Sequence, residues 1–210
     1  MITAIPMGSS RSAASTYHER VAQRQDQTRL SARAQLGVDR ERIALMGESA
    51  GGGHAAMLAI AARDRGEVPL VLQLLVYPML DDRTGSTRMP PDLVGAIGWT
   101  PAQNRFGWSS FLGVPAGSPS VPYGSVPARV ADLRGLPPAF IGVGSIDLFV
   151  EEDMDYARRL IGAGVSTDLL VVPGAYHGFY GAVPQAPVSI RFVAAMHDAL
   201  RRAFKRPVSV

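Results

Sequence analysis

The sequence predicts an α/β fold, a mostly parallel β-sheet flanked by helices, on three observations. Short apolar runs alternate with helix-length stretches along most of the chain, the order that right-handed β-α-β crossovers produce. One of those runs, residues 70–77, is apolar throughout except for Gln73, as a strand buried on both faces must be. A glycine-rich turn, Gly47-Glu48-Ser49-Ala50-Gly51, joins the first apolar run to an alanine-rich helical stretch, giving strand, sharp turn and helix in succession.

Taken in order, residues 1–14 are small and polar and read as a loose arm. Residues 15–36 are polar, with Val21, Leu30 and Leu36 too sparse for a strong apolar stripe, and suit a solvated helix that Gly37 ends. Residues 42–46 form the first strand. Residues 54–65 are apolar nearly all round, as in a helix buried against a sheet, and Gly66 closes it. The run 70–77 is then a central, parallel strand.

Residues 78–99 have no period and carry Asp81, Asp82, Gly85, Pro90, Pro91, Gly95 and Gly98, so a long excursion is expected there, with a short helix near 92–97. Thr100-Pro101-Ala102-Gln103 is a capping box with proline at the first helical position, which starts a helix running to about Leu112. Residues 113–138, rich in Pro, Gly and Ser, are loop. Ala139–Gly144 is a third strand, Val150–Gly162 a helix, 168–172 a fourth strand and 187–204 a final amphipathic helix. No repeat or interior linker divides the chain, so residues 1–210 read as one domain, with 1–36 an arm and helix and 82–112 a partial cap.

Length and composition bound the function. A chain of 210 residues buries roughly 70% of its unfolded surface, enough for a full core. Apolar residues make up 47% and charged ones 19%, and no stretch approaches the ~20 apolar residues of a membrane span. The absence of cysteine excludes disulfides, thiolate metal sites and a cysteine nucleophile, and fits a reducing compartment. No signal peptide is read at residues 1–8, so cytoplasm is the expected location. Net charge is only +3, with arginines scattered among acids, which disfavours nucleic-acid binding.

The turn at Ser49 carries the chemistry. A serine there takes a strained conformation that lifts its hydroxyl off the sheet, and the glycines two before and two after it leave room for the crossing chain. The amide of Ala50 then points at whatever Ser49 attacks. A serine hydroxyl needs a base, and the base needs a partner to hold its tautomer. Four histidines compete. His18 and His197 fall on exposed helices, and His54 lies on the helix after the turn, pointing along the core. His177 follows a strand through a Pro-Gly-Ala-Tyr turn, on a loop at the carboxyl end of the sheet, where sites of α/β sheets lie. Asp147 sits just past the third strand and before the histidine, at a turn where it also suits helix capping. Trp99, Phe106, Trp108 and Phe111 fit two roles, lining an acyl pocket or packing a lobe onto the domain. No phosphate loop or Gly-x-Gly-x-x-Gly is present, and Asp81-Asp82 read as carboxylates on a solvent loop, so neither cofactor nor metal is expected.

Together these residues resemble the hormone-sensitive-lipase-like esterases of bacteria, within the α/β-hydrolase superfamily. The resemblance runs over about residues 36–204 and rests on Leu36-Gly37-Val38-Asp39, Gly47-Glu48-Ser49-Ala50-Gly51-Gly52, Tyr77-Pro78-Met79-Leu80-Asp81-Asp82-Arg83, Asn104-Arg105-Phe106-Gly107-Trp108, Asp147-Leu148-Phe149 and Pro173-Gly174-Ala175-Tyr176-His177-Gly178-Phe179. It implies a serine esterase preferring short acyl esters of small molecules, with Ser49 as nucleophile, His177 as base and Asp147 as orienting acid. The order Ser, Asp, His is that of α/β-hydrolases. The departure is upstream: only 48 residues precede Ser49, and none reads His-Gly-Gly, the loop that supplies oxyanion donors in that family. The expectation is a hydrolase truncated on its amino-terminal side, with the Ala50 amide as oxyanion donor and turnover lowered by ~10²- to 10³-fold for each donor lost. Strand 42–46 would then be an edge, and bare edges pair with other chains, so a homo-oligomer is expected. Two other readings share this motif set: a catalytically silent assembly or binding module, and an amide or formamide hydrolase.

Overall fold

The computed structural model describes residues 39–205. Its elements are β1 (Ala44–Glu48), α1 (Ala50–Arg65), β2 (Leu72–Val76), α2 (Pro101–Leu112), a 3-10 turn (Pro127–Arg129), β3 (Ala139–Gly144), α3 (Val150–Gly162), β4 (Thr167–Val172), α4 (Phe179–Ala182) and α5 (Pro187–Lys205). The four strands form one parallel sheet in the order β1-β2-β3-β4. Every residue of β2 and β3 is buried, as their unbroken apolar runs require. β1 is the outer strand on its side among the described residues. The expected arm and helix at 1–36 lie outside the described residues.

Helices cover both faces. Ala55, Ala56, Ala59 and Ile60 of α1 and Tyr156, Ala157 and Leu160 of α3 pack on Leu75 and Ile141. Phe192, Met196, Ala199 and Ala203 of α5 pack on Leu72, Leu74, Val76 and Phe140 from the opposite side. In β2 the even-numbered Leu72, Leu74 and Val76 thus face one core and Leu75 the other. A third cluster, Met79, Trp108, Val126, Leu148 and Phe149, joins the excursion to the domain. No helix of the described residues is long and apolar enough to cross a membrane.

Element ends follow local chemistry. Gly66 adopts the left-handed conformation and donates its N–H to the Ala62 carbonyl at 2.9 Å, ending α1. At α2 the Thr100 N–H donates to Gln103 Oε1 at 2.9 Å and the Gln103 N–H to Thr100 Oγ1 at 3.4 Å, the reciprocal pair of a capping box. β1 lies two residues beyond the expected 42–46, because its ladder with β2 runs through to Glu48↔Val76. α1 begins at Ala50 and not at 54, since the glycines after Ser49 are themselves helical. The expected short helix near 92–97 is absent: this segment forms successive turns. The single-turn α4 was not expected.

The structure also corrects the reading of Asp81 and Asp82 as solvent-loop carboxylates: both are buried. Asp81 accepts from Arg83 Nε at 2.7 Å and Nη2 at 2.8 Å, and from Arg88 Nη1 at 3.1 Å. Asp82 accepts from Arg129 Nε and Nη2, both at 2.7 Å, and from the Gly117 N–H at 2.9 Å. A carboxylate taken out of water needs such partners; those of Asp81 come from the excursion itself and those of Asp82 from the loop that leads to β3. The long excursion is thereby tied down at its root.

Candidate active site

The site begins with the turn between β1 and α1. Ser49 has φ 56° and ψ −125°, outside the regions favoured by L-residues. Three hydrogen bonds hold it there. Its N–H donates to the Val76 carbonyl at 2.9 Å, and its carbonyl accepts from Gly53 N at 3.1 Å and Met79 N at 3.0 Å. The crowding falls on particular glycines: a Cβ on Gly47 would lie 2.1 Å from the Gly51 carbonyl oxygen, one on Gly52 2.9 Å from Pro78 Cβ, and one on Gly53 2.3 Å from the Met79 oxygen. A Cβ on Gly51 would meet only open space, so the expectation that the glycine two after Ser49 makes room for the chain is corrected.

Two loops at the carboxyl ends of β3 and β4 bring the other groups in. They are laced together: Ile146 N–H donates to the Ala175 carbonyl at 3.1 Å, and Gly174 N–H to Ser145 Oγ at 2.8 Å. Gly144 permits this approach, since a Cβ there would sit 2.1 Å from the Ala175 oxygen. As a result Ser49 Oγ lies 2.9 Å from His177 Nε2, and His177 Nδ1 lies 2.9 Å from Asp147 Oδ2. Asp147 is fully buried, and its Oδ1 accepts from the Phe149 N–H at 3.0 Å. With Nδ1–H donating to Asp147, Nε2 is the lone-pair nitrogen facing the Ser49 hydroxyl. Ala50 opens α1, where a backbone N–H has no intrahelical carbonyl to meet.

Aromatic rings confine the imidazole. The Tyr77 ring lies 4.6 Å from it, Phe149 5.2 Å edge-on and Trp99 6.5 Å away. Tyr77 has a positive φ of 35°, strain that swings its ring beside His177 at the end of β2. Its hydroxyl and that of Tyr180 both donate to Glu48 Oε2, at 2.9 and 2.5 Å. Burial, then the Tyr180 and Glu48 groups, push the Tyr77 phenol well above its ordinary range, and burial with the Glu48 contact pushes Tyr180 up to about 12. Both hydroxyls therefore stay protonated as donors. Sequence reasoning did not single out Glu48, Tyr77 or Tyr180, because their shared contact joins β1, the residue after β2 and α4.

Of the other histidines, His54 is exposed and meets Phe111 edge-on at 5.5 Å, which corrects the expectation that it points along the core. His197 is exposed on α5, and His18 lies outside the described residues. Beside Ser49 is a cavity of about 160 Å³ lined by Ala50, His54, Met57, Met79, Trp99, Gly107, Trp108 and Phe111. Three of the four candidate aromatics border it, whereas Phe106 is 75% exposed and does not. Behind the site, Glu152 and Asp153 are buried. Glu152 Oε1 accepts from Leu80 N at 2.7 Å and Asp81 N at 3.1 Å, and neither oxygen of Asp153 has a hydrogen-bond partner. Desolvation raises both carboxyls well above the ordinary range, and the Glu152 and Asp147 charges add to this at Asp153.

Comparison with known proteins gives concordant matches. The profile described as alpha/beta hydrolase fold matches residues 12–181. The carboxylesterase NlhH of Mycobacterium tuberculosis is 38% identical over 178 residues, covering 81% of this chain and 53% of that protein. Among solved structures, a bacterial heroin esterase superposes with a TM-score of 0.75 at 38% identity, over 83% of this chain and 56% of its own. The esterase LipW from Mycobacterium marinum gives 0.71 at 39%, over 82% and 53%. The chain thus spans about half the length of the curated relatives it matches.

Proposed function

The chain belongs to the α/β-hydrolase fold family, and on that premise we propose that it is a carboxylic ester hydrolase acting on short-chain esters through a serine nucleophile and an acyl-enzyme. The observation that carries the reading is the unbroken line Ser49 Oγ, His177 Nε2, His177 Nδ1, Asp147 Oδ2, with both gaps at 2.9 Å. His177 Nε2 takes the hydroxyl proton as Ser49 Oγ bonds to the ester carbonyl carbon. The resulting oxyanion faces the Ala50 amide, and Asp147 holds the imidazolium in place. His177 passes its proton to the leaving alcohol as the C–O bond breaks. Water then repeats the sequence on the acyl-enzyme, releasing the acid and restoring Ser49. The apolar cavity beside Ala50 favours a small, uncharged acyl group. The named relatives are esterases, which supports the same chemistry.

Hydrolysis of p-nitrophenyl acetate and butyrate by the protein and by Ser49→Ala tests this. Turnover in the first and its loss in the second is the expected result, with a fluorophosphonate label on Ser49 vanishing in parallel. Equal rates for the two proteins would overturn it.

A further inference from the structure

We propose that Gly107 sets the length of the acyl group this site accepts, an inference that rests on the esterase reading above. Gly107 lies inside α2, where glycine weakens a helix relative to alanine and therefore calls for a reason. Backbone conformation is not the reason, since Gly107 is not among the residues with positive φ. Nor is a crowded neighbour. A Cβ there would meet Met79 Cε at 3.6 Å and Trp99 Cζ2 at 3.7 Å, ordinary contact distances, in contrast to the 2.1 Å clash at Gly47. What Gly107 does border is the cavity beside Ser49, and the two atoms that its Cβ would touch belong to residues of the same lining. A side chain at 107 would thus occupy cavity space without displacing its walls.

The chemistry of the site says which part of an ester enters. The leaving alcohol must sit against His177 Nε2, which protonates it. His177 is not part of the cavity lining, whereas Ala50, whose amide faces the oxyanion, is. The acyl chain therefore enters the cavity and the alcohol stays outside it. An apolar cavity near 150 Å³ admits a benzene-sized group, so a short straight chain or one ring fills this one. Each buried methylene is worth about four-fold in kcat/KM, which is the loss expected for each methylene excluded.

Gly107→Ala and Gly107→Val test the assignment with p-nitrophenyl acetate, butyrate and hexanoate. In Gly107→Ala the butyrate-to-acetate ratio of kcat/KM should fall about four-fold, with Tm raised by roughly 2–4 °C as the helix gains alanine. Gly107→Val should lower the ratio further. The ratio of butyl to ethyl acetate, which varies the alcohol, should not change. An unchanged acyl ratio, or a fall in the alcohol series in its place, overturns the proposal. A readout without turnover keeps the two claims separate: benzene should shift the Met79 methyl NMR signal, and Gly107→Val should abolish that shift. A shift that survives in Gly107→Val overturns the role of Gly107, whereas absent Ser49-dependent hydrolysis overturns only the esterase reading.

Discussion

Removing either partner of the Asp82–Arg129 pair should destabilise the fold more than any change on its surface. Two parallel 2.7 Å contacts join the groups, Asp82 has no exposed surface, and the Arg129 side chain is only 17% exposed. Losing one member of a buried pair typically costs about 3–5 kcal/mol, because the other charge is left without compensation. The structure orders the two single variants within that range. In Asp82→Ala the guanidinium keeps the Ser118 carbonyl at 2.7 Å and some contact with water, so the cost should be about 3 kcal/mol. In Arg129→Met the carboxylate keeps only the Gly117 N–H at 2.9 Å and no water, so the cost should approach about 5 kcal/mol. At ~2–4 °C per kcal/mol these losses lower Tm by roughly 6–12 °C and 10–20 °C. The double variant Asp82→Ala/Arg129→Met should be less destabilised than Arg129→Met alone, since no buried charge is stranded. Urea titrations at 25 °C followed by far-UV circular dichroism measure all three. Single-variant costs below about 1 kcal/mol, or costs that simply add in the double, would refute the argument.

Two further changes probe the site itself. Asp147→Asn should lower kcat by on the order of 10⁴, the loss known for triad amides. The Phe149 N–H at 3.0 Å and His177 Nδ1–H meet different oxygens of Asp147, and the amide has an NH2 in place of one of them, so one donor goes unmet, and an esterase rate within ten-fold of the parent would contradict this. For Asp153→Asn the effect is on the pH dependence of stability. The native carboxyl is held well above its unfolded value of about 3.9, chiefly by burial. Its contribution is therefore fully present below that unfolded value and declines as pH rises toward the native one, by up to about 1.4 kcal/mol per pH unit. The variant should match the parent near pH 4 and gain on it as pH rises from there in urea titrations; parallel curves would refute the burial account.

Much of this architecture was legible because its signals are local. The capping box Thr100 to Gln103, the strand Ala139–Gly144 and the helix Val150–Gly162 stand where contiguous residues place them. Their determinants lie within one turn or one strand length. The expected helix near 92–97 failed for the converse reason. Its composition permits one turn of helix, but the Gly95 N–H is drawn to the Ile146 carbonyl at 3.0 Å and its Cα packs against Leu148, contacts made some fifty residues away in sequence. Asp81 and Asp82 misled in the same way. A pair of carboxylates among turn residues reads as solvated until Arg83, Arg88 and Arg129 are seen to meet it.

By itself the sequence determined the parallel α/β layout, the turn that carries Ser49 and the chain order of Ser49, Asp147 and His177, because strand burial, turn strain and helix capping are properties of neighbouring residues. Tertiary structure alone decided the 2.9 Å spacings among those three, the Glu48 hub that braces Tyr77 beside His177, and the cavity that Gly107 opens. Each of these depends on where separate strands and loops end relative to one another. That is set by packing two helical layers on one sheet, and no stretch of chain encodes it alone.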